Sequence, residues 1–306
     1  MTRHLLSLAD LSAGEIVRVL ELAESPAPPV LAGSGVALVF EHPSARTRNA
    51  TELAVVQLGG HPVSIRGEEI GIDRRETAED VARTLACYHG MIAARVERHE
   101  TLERMAAALD AAGVHVPVVN LLSDREHPTQ ALADLLTIRQ RLGSPAGRVL
   151  AYVGDANNVC RSLLAAGALT GMEVHLACPP GYGPGDEDLD WARGLGGKIE
   201  VFDQPEDAVA AADVVYTDVW VSMGQEAERE ARYRAFEGYS LDDRLLSAAP
   251  PEALVMHCLP AHRGEEISAS VLEGHASAVW QQAANRMHAA RGLFRFLHAS
   301  AAEEVS

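Results

Sequence analysis

The chain of 306 residues is 47% hydrophobic and 23% charged, with a net charge of −17 at pH 7. The apolar content excludes intrinsic disorder, and the acidic balance argues against a nucleic-acid or membrane-surface partner, because both need a basic surface. This length favours two domains, since domains run to about 100–200 residues, although one large domain is also compatible with it.

The four cysteines, Cys87, Cys160, Cys178 and Cys258, lie far apart and form no CxxC pair. Their spacing argues against both a disulfide framework and a zinc site. The first residues lack the apolar stretch of a signal peptide, and the sequence contains no long uncharged run that would span a bilayer. We therefore expect a cytoplasmic protein in a reducing compartment.

Apolar runs rich in Val, Leu and Ile alternate with amphipathic segments along the whole chain. The runs predict strands at residues 36–40, 116–120, 149–153, 173–177, 214–217 and 253–256. Helices are predicted at residues 11–24, 49–58, 79–88, 102–111, 129–142 and 162–169. Ser12 and Glu15 open the first helix with a capping-box pattern. Strands that alternate with helices are typical of parallel α/β sheets.

The clearest break in this pattern is the Gly- and Pro-containing stretch from Gly143 to Gly147, just before a predicted strand. It predicts two α/β halves of similar size. Ligands bind beyond the carboxyl ends of the strands in open parallel sheets, so functional residues are expected in the strand-to-helix turns.

The first such turn is Ser44-Ala-Arg-Thr-Arg, between the strand at 36–40 and a helix. Ser44 can cap this helix, whose first N–H groups and positive end favour a phosphate group. Arg46 adds a positive charge and Thr47 a hydroxyl group. For this segment alone, an ordinary N-cap with solvated arginines is the slightly better interpretation.

Polar residues also open two later helices. His127 and Gln130 stand three residues apart, so both can face one ligand, although a capping His-Pro turn explains them as well. The turn at 154–159 lacks the G-x-G-x-x-G pattern, which disfavours NAD. Its adjacent Asn157 and Asn158 offer donors and acceptors to a zwitterion, but turn formation and capping explain them almost equally well.

Two strand ends in the second half carry further candidates. Asp218 can bind an ammonium group and Ser222 a carboxylate, whereas Trp220 and Met223, judged by residue type alone, are expected to pack. The charged segment 225–236 is interpreted as a helix with a solvated face. Cys258 follows the last predicted strand, where a lone cysteine is more often a small buried hydrophobe. Arg286 on the closing helix can reach an anion or lie at the surface.

Taken in order, these motifs resemble the aspartate/ornithine carbamoyltransferase family over nearly the whole chain. Ser44-Ala-Arg-Thr-Arg is similar to the family's Ser-Thr-Arg-Thr-Arg carbamoyl-phosphate motif. Residues 127–134 and 218–224 resemble the carbamoyl-contacting helix and the mobile ornithine-closing loop. Residues 256–266 are the most specific match, because the aspartate enzymes carry His-Pro-Leu-Pro where this chain has His-Cys-Leu-Pro.

The resemblance implies an α/β fold of two domains, each a parallel sheet flanked by helices, with a C-terminal helix packing back on the N-terminal domain. The expected boundaries are 1–143 for a carbamoyl-phosphate domain, 148–284 for an ornithine domain and 285–306 for the returning helix. The implied reaction transfers the carbamoyl group to the δ-amine of L-ornithine, which gives L-citrulline and phosphate. The family also implies no metal or organic cofactor, and a homotrimer or multiple of trimers with active sites at subunit boundaries.

Carried over residue by residue, the resemblance implies three sets of site residues. The catalytic residues should be Arg95, His127 and Cys258. Carbamoyl phosphate should be bound by Ser44, Ala45, Arg46, Thr47, Arg95, His127, Gln130, Cys258, Leu259 and Arg286. Ornithine should be bound by Asn158, Asp218, Ser222 and Met223. Cys258 and the Leu259 carbonyl should lie near the attacking amine.

Three departures from the family pattern stand out. Ala45 replaces a Thr and so loses one hydroxyl group to phosphate, and Ala284 replaces a Glu, so Arg286 is expected to be less firmly oriented. Residues 66–76 replace a shorter Ser-Gln-x-Gly stretch that can reach a neighbouring subunit's site, so another residue serves there or the loop turns away. These departures leave open a carbamoyltransferase for another amine, or a catalytically weak regulatory paralogue.

Overall fold

The computed structural model describes residues 2–222 and 226–305. The chain divides into two compact units, Met1–Ala133 with Ala284–Ser306, and Asp134–Ala283. The division falls inside two helices, each of which contributes residues to both units: α6 (Pro128–Leu142) and α13 (Val279–Val305). The break predicted at 143–147 therefore comes ten residues after the division at Ala133.

The first unit is built on a four-stranded parallel sheet in the order β2-β1-β3-β4. Its strands are β1 (Gly35–Phe40), β2 (His61–Arg66), β3 (Met91–Arg95) and β4 (Val118–Leu122). Its helices are α1 (Ala13–Glu24), α2 (Ala45–Gln57), α3 (Gly67–Ile70), α4 (Ala78–Ala86) and α5 (His99–Ala111), with a 3₁₀ turn at Leu8–Asp10. Buried side chains of β1, β3, α4 and α5 form one continuous apolar core.

The second unit is built on a five-stranded parallel sheet in the order β7-β6-β5-β8-β9. Its strands are β5 (Val149–Val153), β6 (Glu173–Ala177), β7 (Lys198–Phe202), β8 (Val214–Thr217) and β9 (Leu254–His257). Its helices are α7 (Asn158–Thr170), α8 (Asp186–Gly194), α9 (Pro205–Val209), α10 (Arg229–Ala235), α11 (Asp243–Leu246) and α12 (Ala269–Leu272), with a 3₁₀ turn at Glu226–Glu228.

The predicted fold class, two parallel sheets flanked by helices with a C-terminal helix on the first unit, is confirmed. Three strands, β2, β3 and β7, were not predicted. β2 and β7 are partly exposed sheet edges without a continuous apolar run, and β3 contains two alanines. The strand predicted at 116–120 begins two residues later, because Pro117 has no N–H group for the ladder.

A capping box fixes the start of α1. A glycine of α13 allows that helix to pack closely against α1. The predicted capping box is confirmed, since the Glu15 amide donates to Ser12 Oγ over 3.3 Å and the Ser12 amide donates to Glu15 Oε2 over 2.8 Å. A methyl group at Gly292 of α13 would lie only 2.7 Å from the Ala23 amide nitrogen. Glycine is therefore required at this helix crossing. No helix in the described ranges is long and apolar enough to cross a membrane.

Candidate active site

The sequence motifs lie at the point in each sheet where the strand order reverses. This point falls between β1 and β3 in the first unit and between β5 and β8 in the second. Ser44 and Arg95 stand at the carboxyl ends of β1 and β3, and Asp155 and Asp218 follow β5 and β8. Open α/β sheets bind ligands in the crevice at such a switch point, so each unit presents its candidate residues in the expected place.

In the first unit, three arginines from different elements form a cluster of positive charge. Burial, and to a smaller extent the charges of Arg286 and Arg46, together lower the pKa of Arg95 to about 10. Arg95 and Arg286 are buried, whereas Arg46 is exposed in the first turn of α2. A buried cation is expensive without an opposing charge. This arrangement therefore favours an anionic ligand.

Ser44 occupies the N-cap position of α2, but its side chain makes no capping hydrogen bond, so the prediction of a side-chain cap is wrong. Its hydroxyl oxygen instead accepts a hydrogen bond from Arg95 Nη1 over 3.1 Å. The arginine competes successfully because β1 and β3 are neighbours and bring the two side chains together. Ala45 is the first residue of α2, at the positive end of a 13-residue helix.

Arg286 connects three elements of this unit. Its Nη1 donates to Gln130 Oε1 at the start of α6, and its Nη2 donates to Thr47 Oγ1 on α2 over 3.0 Å. All three side chains are buried. Two hydrogen bonds to other elements hold the guanidinium group with Ala at position 284. That Arg286 is less firmly oriented than with the family's Glu stays a prediction. Of the two alternatives for Arg286, the surface position is excluded.

His127 is buried beside the same cluster, immediately before α6. Burial lowers its pKa well below the ordinary value of 6.5, and the charges of Arg286, Arg95 and Arg46 lower it further. The imidazole ring is therefore neutral near pH 7, with one N–H donor and one acceptor nitrogen. A neutral ring can donate a hydrogen bond to a carbonyl oxygen without adding another buried positive charge.

In the second unit, Asp218 collects three hydrogen bonds. Its Oδ1 accepts from the Val219 amide over 2.8 Å and from Cys258 Sγ over 2.8 Å, and its Oδ2 accepts from Asn157 Nδ2 over 2.7 Å. Asn157 also caps α7, since its Oδ1 accepts from the amide groups of Val159 and Cys160. Asn157 was weighed only as a pair with its neighbour, and its spacing from Asp218 in the sequence gives no signal of this contact.

The other predicted ornithine ligands belong to the same unit of the chain as Asp218. Asn158 is the half-buried first residue of α7, and Ser222 is half-buried beyond β8. Met223 lies outside the described residues. Cys258 and Leu259, predicted as carbamoyl-phosphate contacts, follow β9 in this second unit with Asp218.

The charged segment after Ser222 is not uniformly solvated, so that prediction is wrong at one position. Arg232 of α10 is buried, and its Nη1 donates to Asp155 Oδ2 and to the Trp220 carbonyl oxygen, both over 2.9 Å. Burial raises the pKa of Asp155, and the nearby Arg232 charge opposes that rise. Trp220 is buried against Phe236, as expected for a packing residue. The ion pair ties α10 to the end of β5.

The divergent segment 66–76 of the first unit folds back on its own unit. The Glu69 carboxylate accepts from the Arg66 amide over 2.9 Å at the start of α3. Arg104 of α5 donates paired hydrogen bonds to two carboxylates, to Asp73 over 2.8 and 3.0 Å and to Glu79 over 2.8 and 2.6 Å. These hydrogen bonds from Arg104 lower the pKa of Glu79 to about 2. The Glu69 carboxylate thus serves a local turn.

Among the described residues, one cluster of side chains that could hold a metal ion includes Asp218 and Cys258 of the candidate site. Ligand-type atoms of Asp218, His257 and Cys258 all lie within 4.8 Å of one another. Both ring nitrogens of His257 are already engaged, Nδ1 with the Leu259 amide and Nε2 with Glu266, and Cys258 donates to Asp218. A metal ion would have to displace these hydrogen bonds, so the group fits a hydrogen-bonded network better than a metal centre.

Two family models match the chain. Residues 3–140 match the aspartate/ornithine carbamoyltransferase carbamoyl-P binding domain, and residues 146–297 match the Asp/Orn binding domain of the same family. The chain belongs to the aspartate/ornithine carbamoyltransferase family. The family resemblance seen in the sequence motifs is thereby confirmed.

Individual members of the carbamoyltransferase family align over almost the full chain. The ornithine carbamoyltransferase of Acidothermus cellulolyticus is 48% identical over 307 residues, covering 97% of both chains. That of Methanoculleus marisnigri is 46% identical over 301 residues, covering 96% of both. The solved structure of the Pyrococcus furiosus ornithine carbamoyltransferase superimposes with a TM-score of 0.90 at 42% identity, covering 96% of both chains.

Proposed function

We propose that this enzyme transfers the carbamoyl group of carbamoyl phosphate to the δ-amine of L-ornithine and forms L-citrulline and phosphate. The observation that carries the proposal is the cluster of Arg46, Arg95 and Arg286 beside the neutral ring of His127. The cluster combines the charge that a phosphate dianion needs with a neutral donor for a carbonyl group. The similarity to enzymes named ornithine carbamoyltransferase supports ornithine as the acceptor.

Carbamoyl phosphate is assigned to the first unit. Its phosphate group binds at the amino end of α2, with the backbone N–H groups of the first turn and the side chains of Ser44, Arg46 and Thr47. Arg95, His127 and Gln130 hold the carbamoyl group, and Arg286 contacts the same ligand. Guanidinium groups suit this role because their planar donors pair with two phosphate oxygens at once.

Ornithine is assigned to the second unit. The Asp218 carboxylate pairs with the α-ammonium group, and Asn158, Ser222 and Met223 bind the amino-acid backbone. Asn157 donates to Asp218 Oδ2 and so helps to hold the carboxylate just after β8. Cys258, with the Leu259 carbonyl oxygen, contacts the side-chain amine.

The reaction joins the neutral δ-nitrogen to the carbamoyl carbon, and negative charge develops on the carbamoyl oxygen. Arg95, His127 and Thr47 stabilise that oxygen, and fixed donors of this kind supply a large part of catalysis in acyl transfer. The bond from carbon to the phosphate oxygen then breaks, and the nitrogen releases one proton. Positioning both substrates supplies much of the remaining acceleration.

The test is carbamoyl transfer from carbamoyl phosphate to L-ornithine, putrescine, L-lysine and L-aspartate, each scored by its ureido product. We expect citrulline from ornithine and no comparable product from the others. Product from another amine would refute ornithine as the acceptor and favour the alternative acceptor. If circular dichroism shows that the protein is folded and no amine gives a ureido product, the proposed function is refuted. That result would favour the weak regulatory paralogue.

We further propose domains at 1–143 and 148–284 with the returning helix at 285–306, a cytoplasmic location, and a homotrimer or multiple of trimers. These proposals are supported by the family resemblance and by the two matched regions at 3–140 and 146–297. Light scattering after gel filtration tests the assembly, and a mass of one or two chains would contradict it.

A further inference from the structure

A fully buried pair of side chains lies behind Cys258. His257, the last residue of β9, and Glu266 are both completely buried, with His257 Nε2 3.1 Å from Glu266 Oε1. Glu266 Oε1 also accepts from the His262 amide over 2.6 Å. One carboxylate oxygen of Glu266 thus contacts both ends of the segment 257–262.

The hydrogen bonds of His257 specify its tautomer. The Leu259 amide donates to Nδ1 over 2.9 Å, so Nδ1 must carry a lone pair and the ring proton must be on Nε2. Nε2–H then donates to the Glu266 carboxylate, which accepts and cannot donate when ionised. An acidic partner commonly fixes the tautomer of a functional histidine in this way.

The backbone amide that donates to His257 Nδ1 belongs to Leu259, which has an unusual backbone conformation. Leu259 has φ of +61°, in the left-handed region that residues other than glycine rarely adopt. Its neighbour Cys258 donates from Sγ to Asp218 Oδ1 over 2.8 Å. The Nδ1 contact therefore lies within two residues of the thiol and the carbonyl group assigned to ornithine. Such strained conformations persist only where the surroundings hold them.

We propose that His257 and Glu266 are positioning residues for the amine acceptor: Glu266 holds His257 in the Nε2–H tautomer, and His257 Nδ1 holds the Leu259 amide, which orients Cys258 and the Leu259 carbonyl group. This inference rests on the proposed function, because it assigns a purpose to the ornithine half of that site. It predicts that the Nδ1 acceptor matters for ornithine more than the Nε2 donor does.

Two substitutions at one position separate these roles. In His257→Asn the side-chain oxygen can take the place of Nδ1, whereas in His257→Gln the amide reaches only the place of Nε2. We expect the ornithine KM of His257→Asn to stay within about threefold of the wild-type value and that of His257→Gln to rise about tenfold or more, as for loss of one buried hydrogen-bond acceptor. In His257→Gln the KM for carbamoyl phosphate should rise less than the KM for ornithine.

Glu266→Met tests the carboxylate, since methionine has a similar volume and its sulfur is only a weak acceptor. The variant leaves the His257 Nε2–H and the His262 amide without their carboxylate partner, so circular dichroism must first show that it folds. We expect its ornithine KM to rise as in His257→Gln. Equal ornithine KM values for the two His257 variants would overturn the inference, as would an unchanged value in Glu266→Met. If the wild-type protein makes citrulline, either result leaves the proposed function standing.

Thiol chemistry provides a test that does not need turnover. Iodoacetamide labelling of the folded variants, followed by peptide mass spectrometry, compares Cys258 with the exposed Cys87 as an internal reference. We expect faster relative labelling of Cys258 in His257→Gln and an unchanged ratio in His257→Asn. The same ratio in both variants would contradict the inference even in a protein that transfers no carbamoyl group.

Discussion

Replacing Arg286 with glutamine removes one cation from the arginine cluster while keeping a polar side chain of similar length. The wild-type guanidinium donates to Gln130 and to Thr47. A hydrogen bond to a charged group contributes about 1.5–3 kcal/mol, and about 1.4 kcal/mol corresponds to a tenfold change in affinity. We therefore expect the KM for carbamoyl phosphate to rise about 10- to 100-fold at saturating ornithine.

Arg286→Gln should change the stability of the ligand-free protein less than it changes the stabilisation by bound carbamoyl phosphate. Loss of the Arg286 charge removes one of the influences that lower the pKa of Arg95, so part of the lost hydrogen bonding is offset by relief of repulsion. The stabilisation produced by bound carbamoyl phosphate separates the wild-type protein from Arg286→Gln more clearly. At 100 times Kd a ligand stabilises a protein by about 2.7 kcal/mol, and a 10- to 100-fold weaker Kd at the same concentration leaves about 1.4 to 0.4 kcal/mol. The thermal shift produced by carbamoyl phosphate should therefore fall to about half of the wild-type shift or less.

The matched control is Arg291→Gln, five residues further along α13. Arg291 donates to Gln57 and to the Ala23 carbonyl oxygen, which are contacts between helices. We expect this variant to lower the melting temperature without ligand and to keep both the KM and the ligand-induced shift. An unchanged KM in Arg286→Gln, or an equal rise in both variants, would refute the assignment of the arginine cluster to carbamoyl phosphate.

Three further predictions concern stability, each measured by urea unfolding. Gly292→Ala should lose about 1–3 kcal/mol through overpacking against α1, whereas Gly14→Ala, with open space around it, should change by less than about 1 kcal/mol; equal effects would contradict the helix crossing. Arg232→Met should lower the free energy of unfolding by about 3–5 kcal/mol, because it leaves a buried aspartate without its cation. The control Arg234→Met, at an exposed position, should lower it by about 0.5 kcal/mol. A small loss in Arg232→Met would contradict the buried ion pair. Since burial lowers the pKa of His127, the unfolded chain binds the extra proton, and stability should fall as the pH drops below about 6.5; a slope unchanged in His127→Gln would contradict this.

Local signals in the sequence were sufficient wherever one short segment determines its own structure. The capping box at Ser12 and Glu15 involves atoms three residues apart, and β5, β6 and β8 have the bounds that their apolar runs predict. A continuous apolar run identifies a buried parallel strand because both of its faces are covered. The partly exposed edge strands β2 and β7 lack that signal, and so escaped prediction.

Contacts between distant segments were beyond the reach of the same reasoning. The charged pattern around Arg232 is identical for a solvated and a buried arginine, and only the approach of α10 to the end of β5 decides that it pairs with Asp155. Ser44 has the residue type and position of an N-cap, yet the neighbouring strand brings a stronger donor, Arg95, to its hydroxyl group. Residue type limits what a side chain can bind, but neighbours from other elements select its partner.

The amino-acid sequence by itself determined the alternation of strands and helices, the two-unit α/β class and the family, because periodicity and motif order are properties of short segments. The tertiary structure alone decided how the site residues are held: Arg286 reaches Thr47 across 239 positions of the chain, and Glu266 reaches back to His257 behind Cys258. Those contacts depend on which strands are neighbours in each sheet. The physical reason is that burial and like-charge repulsion act through space, so pKa values such as those of Arg95 and His127 are set only when the chain is folded.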